Sequence, residues 1–225
     1  MALLEIAIDT AEDGRAALSA GADRLEVCSS LDVGGCTPSL GMFRTLRALT
    51  GKPLFVMLRP RAGSFVYTAV ERSSMVRTLG EFQNEGADGC VFGGLTSEGA
   101  LDTELLGAIL SAAGDTTCTF HRAFDLTANG PQALDVLISH GIERVLTSGG
   151  APTAEEGITQ LKVYAEQSRG RIIVLPGGGV RPSNVERILH DTGAGEIHSS
   201  GRDEEGKLDP SVVELLSTIA HATFI

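Results

Sequence analysis

The sequence predicts an α/β fold, a single TIM (β/α)8 barrel, and three observations support this fold class. Short apolar segments alternate with longer amphipathic segments along the chain, and eight segments of each kind are found. At four places a glycine lies between a predicted helix and the next predicted strand. The length of 225 residues suits one barrel, so residues 1–225 are predicted to form one domain. A doubly wound sheet is the alternative architecture.

Each strand is predicted from a short apolar run, and each helix from apolar residues at helical spacing. The predicted strands cover residues 3–8, 24–27, 54–58, 89–92, 118–121, 145–147 and 172–175, with a short last strand at Ile197. The predicted helices cover residues 11–20, 39–49, 70–85, 103–112, 131–140, 154–167, 183–190 and 210–221. Strands and helices that alternate in this way are typical of a parallel sheet.

The corner glycines are Gly21, Gly86, Gly141 and Gly193, and each follows a predicted helix. Glycine adopts the left-handed conformation at the end of a helix without the steric cost of a Cβ atom. Because the same corner recurs along the chain, it indicates a ring of similar units.

Composition excludes several classes of function. The net charge of -11 argues against nucleic-acid partners, which select clustered lysine and arginine. The sequence has no run of eighteen apolar residues for a membrane span, and its start lacks the features of a secretion signal. The four cysteines lack CxxC spacing. These features predict a reduced cytoplasmic protein without nucleic-acid or membrane partners.

Charged residues are predicted on the inner face of the barrel, where alternation along a strand turns every second residue inward. The inward set is Glu5, Ala7 and Asp9 on the first strand and Arg24, Glu26 and Cys28 on the second. Burying several charges together is costly unless they pair, so the cluster indicates a site at the carboxyl ends of the strands. The candidate catalytic residues are Glu5, Glu26, Arg59, His121, Asp125 and His198.

Ion pairing is the structural alternative for these charges. Glu5 with Arg24, and Glu26 with Arg59, would hold the barrel closed without any chemistry.

His121 and Asp125 lie four residues apart at the end of the fifth strand. A carboxylate at this spacing can orient an imidazole for general acid or base catalysis. The histidines at helix ends need no function, because an imidazolium there interacts favourably with the helix dipole. They are His140, His190 and His221.

An anion site is predicted in the loops after the seventh and eighth strands. Backbone amides in these loops often hold phosphate or carboxylate groups in this fold. The candidate anion-binding residues are Arg61, Arg122, Gly177, Gly178, Gly179 and Ser199. A tight turn that requires glycine is the alternative, since no lysine accompanies the glycine triplet.

Cys28 is the candidate metal ligand, because it faces inward beside Glu26. Cys90 is compatible with an inward position, whereas Cys118 is expected to face the helices. Cu(I) prefers two or more thiolates or thioethers, and the ordinary interpretation of all four cysteines is small hydrophobic filling.

Several segments together resemble a known family. They are GADRLEVC (21–28), GGCTPS (34–39), RPR (59–61), TFHRAFD (119–125), RVLTSG (144–149) and HSS (198–200). On these residues the chain is similar to the CutC family, from Glu5 to about Ser200.

The resemblance implies a cytoplasmic TIM barrel associated with copper homeostasis, which binds Cu(I) through cysteines and forms homodimers or higher homo-oligomers. The family's thiol on the second strand falls on Cys28. The thiol that some relatives carry on the first strand falls on Ala7, which offers no ligand atom. The segment between Ser200 and the last helix is shorter than the resemblance implies.

Two functions are therefore expected as alternatives. The first is copper homeostasis with Cu(I) at Cys28. The second is an enzyme or binding protein for a small anionic metabolite, with a charged pocket at the carboxyl ends of the strands. An isomerase or a lyase fits this pocket, and the lack of a lysine at any strand end disfavours a Schiff base.

Overall fold

The structure is a computed structural model that describes residues 1–223. Eight strands and eight helices alternate through these residues. The strands are β1 (Leu3–Ile8), β2 (Arg24–Val27), β3 (Leu54–Met57), β4 (Gly89–Phe92), β5 (Thr117–Phe120), β6 (Arg144–Thr147), β7 (Ile173–Pro176) and β8 (Glu196–Ser199). The helices are α1 (Ala11–Ser19), α2 (Leu40–Leu49), α3 (Ala69–Asn84), α4 (Thr103–Ala113), α5 (Gly130–Ser139), α6 (Ile158–Ser168), α7 (Val185–Thr192) and α8 (Pro210–Ala222).

The strands pair in parallel in the order β7-β6-β5-β4-β3-β2-β1-β8. β7 and β8, the two ends of this order, pack side by side, so the sheet forms a nearly closed barrel. The predicted (β/α)8 barrel is confirmed. The doubly wound sheet is wrong, because β1 pairs with both β2 and β8 and the sheet curls into a ring.

Helix α6 shows the largest difference from the predicted boundaries, since it begins at Ile158 and not at residue 154. The preceding residues form turns that bring Gly157 against the loop after β6. A Cβ atom on Gly157 would lie 1.8 Å from the carbonyl oxygen of Ser148. This close approach requires glycine, and the turn delays the start of the helix.

The predicted inward and outward faces of β1 and β2 are confirmed. Leu4, Ile6 and Ile8 belong to the large apolar core between the strands and the helices. Ala7 faces the barrel interior. A smaller apolar cluster inside the barrel consists of Cys28, Phe55, Met57 and Val91.

The corner glycines adopt the predicted left-handed conformation. Their φ angles lie between 67° and 103° at Gly21, Gly86, Gly141 and Gly193. Each corner returns the chain to the amino-terminal end of the barrel, so every strand presents its carboxyl end at the opposite side. In the described part of the chain, no helix combines the length and apolar character needed to span a bilayer.

Candidate functional site

A pocket of about 580 Å³ opens at the carboxyl ends of the strands. This volume is in the range of sites for small molecules, and in a barrel of this type the loops at this end carry the chemistry. The pocket is lined by four of the six predicted catalytic residues: Glu26, Arg59, His121 and His198. Glu5 lies below these residues in the barrel, and Asp125 lies in the segment that follows β5 and does not line the pocket.

Glu5 forms the predicted ion pair with Arg24 below the pocket. Nε of Arg24 lies 2.5 Å from Oε2 of Glu5, and its Nη2 lies 2.6 Å from Oε2 of Glu196. Glu196 also pairs with Nε of Arg144 at 2.9 Å. The guanidinium carbon of Arg24 lies 4.6 Å from the ring centre of Phe55. This charged layer fills the lower barrel, where aliphatic side chains are usual.

His198 connects this layer to the pocket. Its Nδ1 lies 2.7 Å from Oε1 of Glu5, and its Nε2 lies 4.0 Å from Oε2 of Glu26. Burial opposes ionisation of Glu5, but Arg24 and His198 outweigh it and lower the pKa of Glu5 to about 2. Burial also opposes the charge on His198, but the Glu26 and Glu5 carboxylates outweigh it and raise the pKa of His198. Ionised Glu5 therefore accepts a hydrogen bond from the Nδ1–H group of His198.

Glu26 is the carboxylate that faces the pocket. Burial, with a further contribution from Glu5, raises its pKa, although His198 opposes the shift. Its Oε2 accepts a hydrogen bond from Sγ of Cys28 at 3.4 Å. Among residues 1–223, its buried Oε1 has no hydrogen-bond partner. The predicted ion pair of Glu26 with Arg59 is wrong, because the guanidinium of Arg59 lies among backbone carbonyls.

Arg59 holds together the loops that follow β2 and β3. Its Nη1 donates to the carbonyl oxygens of Val33 and Gly35 at 2.9 and 2.8 Å, and its Nη2 donates to that of Gly63. The guanidinium also stacks on the ring of Phe65 at 4.9 Å. Arg59 lines the pocket and shapes its wall, and these carbonyls satisfy most of its donors.

His121, the first residue after β5, lines the same pocket as Glu26 and His198. Its Nδ1 accepts a hydrogen bond from the backbone amide of Ala123 at 3.2 Å, so the proton of the neutral ring is on Nε2. In the described residues, this buried Nε2 has no partner. Burial and the charge of Arg59 lower the pKa of His121 to about 3. His121 is therefore a neutral donor.

Asp125 does not orient His121, and the prediction that it does is wrong. Its carboxylate accepts hydrogen bonds from Thr147 Oγ1 at 2.5 Å, from the Ser148 amide and hydroxyl and from the Gly150 amide. It also pairs with Nε of Arg122 at 2.8 Å. Because these groups saturate the carboxylate, Asp125 anchors the loop after β6 and positions Arg122.

Arg122 lies beside the glycine loop after β7, as the predicted anion site requires. A Cβ atom on Gly178 would lie 2.9 Å from its Nη1. Gly178 and Gly179 both have positive φ and line the pocket. Gly177 does not belong to this site, because its amide donates to Thr147 and a Cβ atom there would lie 2.5 Å from Leu146.

Ser199 lines the pocket, but its hydroxyl is occupied by the loops at the seam between β7 and β8. It donates to the carbonyl oxygen of Val180 at 3.0 Å and accepts from the amide of Gly201 at 3.1 Å. The Ser199 hydroxyl is therefore already engaged, and Ser200 lines the pocket beside it.

Arg61 lies outside the pocket, so its predicted role in anion binding is wrong. Its Nε pairs with Glu71 at 2.5 Å, and its other donors reach the carbonyl oxygens of Ser64 and Val66. The second arginine of the RPR segment thus belongs to the surface of the loop after β3. Sequence reasoning missed Arg181 and Arg202, which line the pocket from the loops after β7 and β8. The glycine triplet that precedes Arg181 was the available signal.

The cysteines divide between the two faces of the barrel. Cys28 faces inward as predicted, and it is fully buried. Cys90 does not face the interior. Gly89 faces the barrel interior, because a Cβ atom on it would lie 2.6 Å from the ring of Phe55, which belongs to the inner cluster. Cys90 is the next residue on β4, so its side chain points outward to the helices. Cys118 faces the helices as predicted.

Comparisons with known proteins identify the family. A profile of the CutC family matches residues 2–203. The chain belongs to the CutC family. The human "Copper homeostasis protein cutC homolog" is 43% identical over 200 residues, which are 89% of this chain and 73% of that protein. The CutC family protein of Bacteroides thetaiotaomicron is 42% identical over 200 residues, which are 88% of this chain and 80% of that protein.

A crystal structure of CutC from Streptococcus agalactiae has the same fold. It superimposes with a TM-score of 0.83 at 31% identity and covers 89% of this chain and 99% of that one. The phosphoribosylanthranilate isomerase of Thermotoga maritima superimposes with a TM-score of 0.66 at 13% identity and covers 99% of this chain and 100% of that one. At this low identity, the second likeness shows the barrel fold alone.

The donors around Cys28 do not fit a Cu(I) site of two thiolates in this CutC chain. Ala7, which pairs with Glu26 in the register of β1 and β2, offers no thiol. Burial and the carboxylate of Glu26 raise the pKa of Cys28 well above its ordinary range. Cys90 and Cys118 lie on the other face of the barrel wall. Cys28 thus supplies one protonated thiol.

A second donor cluster near the pocket consists of Glu5, Glu26 and His198, whose ligand atoms lie within 4.8 Å of one another. Oxygen and nitrogen donors of this kind suit harder ions than Cu(I). Both oxygens of Glu5 are already bonded, one to Arg24 and one to His198. In this arrangement Glu5 therefore has no carboxylate oxygen without a hydrogen-bond partner.

Proposed function

We propose that the protein binds a small anionic metabolite in the barrel pocket and transfers a proton at Glu26. The observation that supports this most directly is the buried Oε1 of Glu26, which in residues 1–223 has no hydrogen-bond partner and belongs to a pocket-lining carboxylate. Leaving a buried acceptor unpaired destabilises a fold, and groups of this kind concentrate where chemistry uses them.

Three features of the pocket support such a reaction: a base, a hydrogen-bond donor and an anion site. The raised pKa of Glu26 makes its carboxylate a stronger base than an ordinary glutamate, which suits a general base. The Nε2–H group of His121 suits a donor to a carbonyl oxygen of the substrate as negative charge develops there. Arg122 and the backbone at Gly178 and Gly179 are placed to bind a phosphate or carboxylate group of the substrate.

The reaction class that these roles support is proton abstraction next to a carbonyl group. The C–H proton moves to Glu26, the electron pair forms an enolate, and His121 stabilises its oxygen. Return of the proton to a neighbouring atom completes an isomerisation, and departure of a group from the next carbon completes an elimination by a lyase. His198, held by Glu5, can return or accept the proton as Glu26 changes its charge.

Deuterium incorporation tests this function without knowledge of the natural product. A panel of small sugar phosphates and keto acids is incubated with the protein in D2O, and mass spectrometry detects exchanged carbon-bound hydrogen. We expect exchange in at least one compound with the wild type and with a surface control, Glu85→Gln, and a loss of about 100-fold or more with Glu26→Gln. Exchange that survives in Glu26→Gln would refute the assignment of the base.

Copper handling is a second candidate function, because the human relative is named a copper homeostasis protein. The family resemblance places the ligand on Cys28, and the thioether of Met57, a second soft donor type, belongs to the same inner cluster. Titration of the reduced protein with Cu(I) against a calibrated chelator tests the function. Tight binding supports it, and an affinity no higher than that of a surface thiol opposes it.

We infer a cytoplasmic location and a homodimer or larger homo-oligomer from the family resemblance. The free state of all four cysteines agrees with a reducing compartment. Light scattering on the purified protein gives the oligomeric state directly, and a monomer at micromolar concentration would contradict the inference.

A further inference from the structure

Two cysteines lie together on the outer face of the barrel wall, away from the pocket. The Sγ atoms of Cys90 and Cys118 are 3.5 Å apart. The two residues are partners in the parallel register of β4 and β5, so the sheet itself holds them side by side. Both are buried in the apolar layer between the strands and the helices, with exposed fractions of 0% and 1%.

We propose that Cys90 and Cys118 bind one Cu(I) ion between their sulfur atoms. The inference rests on the copper-handling function proposed above and assigns it a site on the opposite face from Cys28. Paired thiolates in an apolar setting select a soft ion such as Cu(I) over harder ones.

The geometry of the pair allows a shared ion with little movement. Metal–thiolate bonds are about 2.3 Å long, so two sulfurs that share one ion lie at most about 4.6 Å apart. The present separation of 3.5 Å is within this limit. At this separation the sulfur–metal–sulfur angle would be about 100°, so the two side chains must rotate and move the sulfurs apart by about 1 Å to approach a linear ion. The strand register holds the backbone on both sides.

Cys28 is the poorer site by comparison. Its single thiol donates to Glu26, and Ala7, the β1 residue paired with Glu26, offers no ligand atom. An ion there would have to displace the Cys28 proton next to a buried carboxylate and would gain only one thiolate. The pair on β4 and β5 supplies two thiolates for the same ion.

Binding to the pair must release two protons. Each thiol loses its proton to solvent, Cu(I) forms a bond with each resulting thiolate, and no electron is transferred. Glu143 is the charged group that faces the pair: its carboxylate accepts a hydrogen bond from the backbone amide of Cys118 at 2.9 Å. The contact with Cys118, together with burial and the charge of Glu143, raises the pKa of Cys90 well above its ordinary range. Because two protons are released on binding, the apparent affinity should rise with pH, by up to about 100-fold per pH unit.

The test is a competitive titration with Cu(I) alone, under anaerobic reducing conditions, on the full chain. Wild type is compared with Cys90→Ala/Cys118→Ala and with a matched control, Cys28→Ala/Cys36→Ala, which removes the same number of thiols. Circular dichroism confirms that both variants fold. X-ray absorption of the copper-loaded wild type counts the sulfur ligands.

We expect one Cu(I) per chain in wild type and in the Cys28→Ala/Cys36→Ala control, with two sulfur ligands, and at least a 100-fold weaker affinity in Cys90→Ala/Cys118→Ala. Retention of tight binding in that variant, or its loss in the control, would overturn the site while leaving copper handling intact. If wild type binds no Cu(I), copper handling and the site both fail, whereas the proton-transfer function of the pocket is unaffected.

A measurement on the unmodified protein covers the case in which the double variant does not fold. Cysteines are alkylated during brief exposure to denaturant with and without one equivalent of Cu(I), and mass spectrometry reports each site. We expect Cu(I) to protect Cys90 and Cys118 and to leave Cys28 unprotected. Protection of Cys28 alone would contradict the proposal.

Discussion

His198 and Glu5 form a buried hydrogen bond of 2.7 Å between Nδ1 and Oε1, and this bond decides which ring nitrogen faces the pocket. Because Nδ1 is committed to Glu5, Nε2 is the atom that faces Glu26 at 4.0 Å. Arg24 keeps Glu5 ionised, so the orientation of the imidazole is set from below the pocket. The same bond gives the acid–base pair a fixed geometry.

The pKa of His198 should fall when the charge on Glu26 is removed. Among the groups that raise it, the Glu26 carboxylate contributes most, against the opposing effect of burial. In Glu26→Gln we expect a lower midpoint for the His198 ring signals in an NMR titration. In Glu85→Gln, a substitution at the surface, the midpoint should not move. An unchanged midpoint in Glu26→Gln would show that the two groups do not interact.

The buried pair of Glu5 and Arg24 should be critical for stability. Glu5→Gln leaves the Arg24 charge with Glu196 alone, and its single amide oxygen cannot replace both carboxylate oxygens that accept from Arg24 and His198. Breaking a buried ion pair in this way typically costs about 3–5 kcal/mol, and we expect a loss of this size in urea unfolding. Glu85→Gln breaks the solvent-exposed contact with Arg44 and should change the midpoint little. Equal effects of the two substitutions would contradict this ranking.

The stability of the protein should fall in mild acid because of His121. Its pKa is lowered from 6.5 to about 3, so between these values the unfolded chain binds a proton that the folded protein does not. Stability from this group is fully present above pH 6.5 and declines as the pH falls towards 3. In His121→Gln, unfolding free energies measured across this range should depend less on pH. A slope identical to that of wild type would refute the depressed pKa.

Gly178 should matter to anion binding through Arg122. Gly178→Ala places a Cβ atom 2.9 Å from Nη1 of Arg122 in a backbone with φ of 102°. Gly150→Ala is the control, since Gly150 also has positive φ but open space around a Cβ atom. Both substitutions should lower stability by about 1 kcal/mol or more. Only Gly178→Ala should also weaken the binding of inorganic phosphate, measured by calorimetry. Equal phosphate affinity in both variants would remove Arg122 from the anion site.

The fold was predictable because local sequence features determine it. Alternation along β1 identifies the inward residues, since a strand turns one side chain in two to each face. Glycine at the helix ends identifies the corners, since the left-handed conformation is costly for other residues. These signals depend on neighbours in the chain, and the structure confirms them at Ala7 and at Gly21.

The contacts within the site were less predictable, because they join residues far apart in sequence. The alternation of side chains along the strands predicted that Glu26 and Arg59 share one pocket. It could not predict whether the Arg59 guanidinium pairs with the Glu26 carboxylate or donates to the carbonyl oxygens of Val33 and Gly35, as it does. Asp125 lies near His121 in sequence, but its carboxylate accepts hydrogen bonds from the end of β6 and the loop after it.

The two faces of one short strand were also hard to assign. Cys90 lies next to Gly89, and glycine has no side chain whose hydropathy would indicate which face of the strand is turned inward. Only the packing of Gly89 against the ring of Phe55 fixes the parity of β4. The pairing of Cys90 with Cys118 could therefore not be seen before the register of β4 and β5 was known.

The charged layer of Arg24, Arg144 and Glu196 acts as a floor as well as a support for His198. With Phe55 packed against both arginines, it blocks the barrel axis beneath the pocket. A ligand of the pocket would therefore enter and leave at the carboxyl ends of the strands, and a bound molecule would have to leave before another could take its place.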